Sequence, residues 1–127
     1  MHTISVQIVR FTDASQPGWV ECVFRDASNH EWLLADKVPI FTTAPLDVDS
    51  SYPQPGVVAC EIVREWTDER GRRRCIISTE RPWGVEAKGG ETQFEVFCDR
   101  ITTHAAYKAL QLAPPGPGGT SKALPGG

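Results

Sequence analysis

Apolar side chains recur at every second position along most of the first hundred residues. Ile4, Val6 and Ile8 alternate with Ser5 and Gln7, and a period of two is the mark of a half-buried strand. The same period predicts a strand from Trp19, opened by Gly18, in WVECVFRD. EWLLADKVPIF then gives a third strand, whose Pro39 belongs at an edge, a bulge or the strand end. VVACEIVREW and RRCIISTE give a fourth and a fifth, joined by the turn TDERGR, and ETQFEVFCDRI gives a sixth. Asp26, Ser28 and Asn29 mark the turn before the third strand, because such side chains bond their own backbone and tolerate left-handed conformations.

Six strands with short turns and no interleaved helix predict an all-β fold, read as an antiparallel meander curled into a small barrel. SH3-like and OB-like barrels both fit, with a flattened sandwich as the alternative. The lack of a helix between the third and fourth strands argues against the OB-like form. The longest internal loop, TTAPLDVDSSYPQPG from Thr42 to Gly56, carries three prolines. HAAYKALQL suggests a short C-terminal helix. One domain over 1–112 is therefore expected, followed by a disordered tail over 113–127, whose Pro and Gly content builds no core.

The chain has 127 residues, of which 40% are hydrophobic and 23% charged, the balance of one soluble domain with a single core. No apolar run is long enough to span a bilayer, and MHTISVQIVR lacks the features of a secretory signal, so a cytoplasmic location with no membrane association is expected. A net charge of −3 gives no field for collecting nucleic acid, which is disfavoured as a partner.

Cys22, Cys60, Cys75 and Cys98 sit singly in strand-like runs, each on the face shared with its apolar neighbours. They are expected to be free, buried thiols, rather than a disulfide or a zinc site, which usually shows close-spaced ligand pairs. His2, His30 and His104 lie at scattered positions, so no catalytic residues are assigned and no cofactor or metal is expected. A small enzyme drawing on His30, Asp47 and Glu86 is kept as a rival. In DVDS, Asp47 and Asp49 read as turn formers in a solvated loop.

Two surfaces remain. Arg64, Arg72 and Arg74 form an arginine face at the fourth and fifth strands, suited to an anionic ligand such as single-stranded nucleic acid. Asp68, Glu61, Glu65 and Glu80 stand among these arginines, so cross-strand ion pairing is the simpler reading. Trp32 is expected in the core. Trp66 is expected to cap a barrel end, on the face of Ile62 and Cys60. Trp83, between Pro82 and Gly84, either covers the barrel end, which is the leading expectation, or forms a partner-binding lip with Trp19, Arg81, Glu86 and Lys88. The sequence thus points to a non-catalytic module that binds another protein, in the manner of an inhibitor or immunity protein, with the nucleic-acid barrel as the alternative.

Overall fold

The computed structural model describes residues 2–103. The strands are β1 (His2–Asp13), β2 (Trp19–Arg25), β3 (Glu31–Lys37), β4 (Gln54–Thr67), β5 (Arg73–Ser78), β6 (Gln93–Phe97) and β7 (Ile101–Thr103). Together they make a curled antiparallel sheet, a half-barrel in the order β3-β2-β1-β4-β5-β6, with β7 paired to β1. The expected C-terminal helix and the tail over 113–127 lie outside the described residues. Among the described residues, no helix is long and apolar enough to cross a membrane.

The alternation read from the sequence sets the faces. Ile4, Val6 and Ile8 of β1, Val20, Cys22 and Phe24 of β2, and Val58 and Cys60 of β4 all point into one core with Leu34, Ile77, Phe94 and Val96. The open side of the half-barrel, between β3 and β6, is drawn together at a few points. Phe94 of β6 packs edge-on against Phe24 and Trp32, with ring centroids 5.2 and 5.0 Å apart. The Ala27 amide donates to the Glu95 carbonyl at 2.8 Å, and Leu34 bridges to Ala87. Trp32 is only half-buried, and its indole N–H donates to Asp26 at 2.9 Å.

The structure corrects the sequence reading in four respects. First, the strands do not form a meander, because β4 pairs with β1 rather than with β3. The chain leaves β3 through a single helical turn, α1 (Val38–Phe41), with Pro39 in its first turn, and crosses the end of the half-barrel before entering β4. The crossing is close: a Cβ on Gly56 would stand 3.0 Å from both Ile8 and the Phe41 carbonyl, so only glycine fits there without displacement. Second, the expected sixth strand is broken. A 3-10 turn at Cys98–Arg100 ends β6 and sends Ile101–Thr103 to β1, where Ile4 pairs with Ile101.

Third, a β-bulge between Ile62 and Arg64 in β4 resets the alternation, with Ile62 opposite Ile77 but Arg64 opposite Ile76. The extra residue, Val63, is 54% exposed. Beyond it the odd positions take the face of Cys75, though Glu65 and Thr67 stay exposed there, and Glu65 stands opposite Cys75 and Trp66 opposite Arg74. Trp66 is therefore on the outer face and does not cap the barrel on the side of Cys60. Fourth, Cys75 and Cys98 are joined in a disulfide with Cα atoms 5.6 Å apart, while Cys22 and Cys60 are free and buried as expected. Cys75 pairs with Val96 in the β5–β6 register, which puts Cys98, two residues on, at the diagonal position of the same face.

Candidate functional site

The arginine face is built on the β4–β5 hairpin, and its organising group is a carboxylate. Asp68 accepts the backbone amides of Arg70 and Arg72, each at 2.9 Å, and the Arg74 Nε at 2.8 Å. Gly71, at a φ of 82°, allows the left-handed turn that this wrapping needs. Arg74 also donates to Glu95 on β6 at 2.7 Å. The hydrogen bond from Arg74, followed by that from the Arg72 amide, holds the Asp68 carboxyl below its usual range, and the same contact raises Arg74. On the opposite face, Arg73 pairs with Glu65 at 2.6 Å. Arg64 lies 4.5 Å from the Trp66 ring, and Arg72 lies 3.5 Å from the Phe97 ring. Of the expected Arg64, Arg72 and Arg74 face, only Arg64 and Arg72 lack a carboxylate partner among the described residues, and both guanidiniums rest on aromatic faces.

The second surface is the segment between β5 and β6. Its organising residue is Thr79, which is fully buried. The Thr79 hydroxyl donates to the Val85 carbonyl at 2.6 Å, its amide donates to Thr92 at 2.8 Å, and its own carbonyl accepts the Val85 amide at 3.1 Å. Val85 and Ala87 are buried in the core, and the Lys88 amide donates to the Leu33 carbonyl of β3 at 2.9 Å. These anchors fix both ends of Glu80–Gly84, the excursion that carries Arg81 and Trp83. Trp83 is 57% exposed, so the expectation that it covers the barrel end is overturned. A large indole on a backbone pinned at both ends contributes nothing to the core.

The expected lip residues are only partly gathered. Glu86 and Lys88 line one pocket of about 340 Å3, with Leu33, Ala35 and Ala87 as its apolar side and Glu21 and Asp36 as further polar walls. Gly84, the residue after Trp83, also lines it, whereas Trp83 itself does not. Trp19 lies on β2 two residues from Glu21, paired with Lys37, whose ammonium is 5.4 Å from the indole. Arg81 is exposed on the same excursion as Trp83 and does not line the pocket. Glu21 is ion-paired with Arg10, which leaves the carboxylates of Asp36 and Glu86 against the single ammonium of Lys88.

The residues named for a rival enzyme lie in separate elements. His30 stacks edge-on against Trp32 at 4.5 Å in the β2–β3 turn. Asp47 is in the crossing between α1 and β4, where its carboxylate accepts the Asp49 amide at 2.9 Å and its carbonyl accepts the Tyr52 hydroxyl at 2.6 Å. Only Glu86 lines the pocket beside β3. Compared with protein-family models, curated proteins and solved structures, the chain matches none of them.

Proposed function

We propose that this chain is a protein-binding module and that Trp83 is its anchor. The observation that carries the reading is the 57% exposed indole on an excursion pinned by Thr79, Val85 and Ala87. Tryptophan dominates interface energetics because it buries a large area at small conformational cost, and a pinned backbone removes most of the ordering cost of docking. The pocket lined by Gly84, the residue after Trp83, has an apolar side and an excess of carboxylate, which suits a partner that presents a basic side chain next to a hydrophobic one. The barrel is best read as OB-like: the strand order β3-β2-β1-β4-β5, with a helical turn between β3 and β4, supports that type over the SH3-like one. Fold type alone does not assign a ligand, so the reading rests on the surface.

The test is affinity capture from extract of the source organism with immobilised wild-type chain and with Trp83→Ala. A single stoichiometric partner, retained by wild type and lost from the variant at equal loading, is expected. No stoichiometric partner, or equal capture by the variant, would overturn the reading. Arg64 and Arg72, resting on Trp66 and Phe97, support single-stranded nucleic acid as a second reading. That reading requires oligonucleotide binding that falls steeply with salt and is lost in Arg64→Ala and Arg72→Ala.

A further inference from the structure

Among the described residues, one grouping of three brings metal-ligating atoms together, and none of its members lines the pocket beside β3. Glu65, Cys75 and Cys98 place a carboxylate oxygen and two sulfurs within 4.8 Å of one another. Three structural features assemble it. The bulge at Val63 turns Glu65 to the face of Cys75, the β5–β6 register brings Cys98 diagonally beside Cys75, and the 3-10 turn holds Cys98 at the end of β6. The Glu65 carboxylate divides its oxygens: Oε1 accepts from Arg73 at 2.6 Å, while Oε2 lies 3.8 Å from the Cys75 sulfur.

We propose that Glu65, Cys75 and Cys98, once their disulfide is reduced, form a binding site for one zinc ion. A dithiol reductant converts the cystine to two thiols and leaves as its own cyclic disulfide. Binding then releases the two thiol protons to solvent and forms two zinc–thiolate bonds and one zinc–carboxylate bond. Zinc takes sulfur ligands at about 2.3 Å in tetrahedral geometry, so the sulfurs must separate to about 3.7 Å, and a fourth position remains for water.

Charge supports the assignment. Two thiolates and a carboxylate are balanced by a dication and the Arg73 guanidinium, which already orients Glu65 from outside the ligand set. Access supports it as well. Cys75 is fully buried, but Cys98 is half-buried and borders a surface concavity of about 410 Å3 with Arg72, Arg73 and Asp99. The two remaining cysteines do not compete, because burial pushes the Cys22 and Cys60 thiols up to about 12 and neither belongs to a group of three metal-ligating side chains among the described residues. The disulfide and the zinc site are then two closures of the same joint between β5 and the end of β6.

The experiment titrates the full chain with cobalt(II), followed by displacement with zinc(II), in the oxidised form and after phosphine reduction under anaerobic conditions. The reduced wild type is expected to bind one ion with a thiolate-to-cobalt charge-transfer band and tetrahedral d–d absorption, and the oxidised form none. Cys98→Ser should abolish the band, and Glu65→Gln should weaken affinity by about tenfold or more while keeping it. Tryptophan fluorescence reports on folding: a reduced apo chain that loses its native signal and regains it with zinc supports the proposal. No band in the reduced wild type, an undiminished band in Cys98→Ser, or unchanged affinity in Glu65→Gln overturns it. A reduced chain that stays unfolded with zinc also overturns it.

Discussion

The β4–β5 hairpin and the segment between β5 and β6 each set a tryptophan among charged residues, and they dispose of them in opposite ways. In the hairpin, Asp68, Glu65 and Glu95 take up Arg73 and Arg74, while Arg64 rests on Trp66. The sheet largely satisfies its own charges there. Between β5 and β6, the holding contacts are buried main-chain bonds around an uncharged hydroxyl, and Trp83 is left bare. A dense cluster of charge is therefore weaker evidence of a ligand site than a single apolar side chain that the fold has braced and not used.

The largest effect separating the two regions is expected from Thr79→Val. The substitution keeps the shape but leaves the buried Val85 carbonyl without its 2.6 Å donor. A loss of about 1–3 kcal/mol is expected in urea unfolding, together with loss of partner capture. Unchanged stability would mean that Thr79 does not brace the segment. Cys60→Ser, which puts a hydroxyl in the apolar core beneath both regions, should cost a similar amount, about 1–3 kcal/mol, but leave capture intact at a temperature where the variant is folded. If capture fails in both variants alike, stability and docking have not been separated.

Acid should separate the regions next. The folded-state pKa of Asp68 lies below its ordinary value, so its contribution is present above about pH 4 and is lost as pH falls through the folded value. The Thr79 brace does not titrate. Hydrogen exchange in acid should therefore show the Arg70 and Arg72 amides losing protection while the Val85 amide keeps it. Loss in the reverse order breaks the comparison. Asp26 adds a global acid sensitivity. Burial pulls its carboxyl up, but the donors Trp32, His30 and Ser28 outweigh that and hold it below the ordinary value. Asp26→Asn should flatten part of the fall in melting temperature below about pH 4. The smallest effect on stability belongs to Trp83→Ala, within about 0.5 kcal/mol of wild type. A larger loss would make Trp83 a packing residue.

The faces of β1, β2 and β3 were legible in the sequence because their alternation runs unbroken from Ile4 to Ile8, from Val20 to Phe24 and around Leu34. The same rule failed for Trp66, since one inserted residue inverts every position after it and Val63 carries no composition that marks it. The disulfide escaped notice because Cys75 and Cys98, 23 residues apart, are brought together by hairpin register rather than by spacing. Strand order was also beyond reach: alternation says which face is dry, not which neighbour a strand takes, and the crossing between α1 and β4 decides that. At the candidate site, Pro82 and Gly84 located the excursion that carries Trp83, but the brace at Thr79 depends on carbonyls that only the folded chain brings to it.

β1 shares one edge between β2 and β7 and gives the other to β4. The first of the described strands is thus the hub of the sheet, and two of its three partner strands come from residues beyond 53. Growing from its N-terminus, the chain can form only the β1–β2–β3 part of the sheet, with the core side of Ile4 and Val6 uncovered, until β4 has emerged. Folding should therefore be late and all at once, and a nascent chain stalled before Gln54 should recruit chaperones where one extended past Thr103 does not.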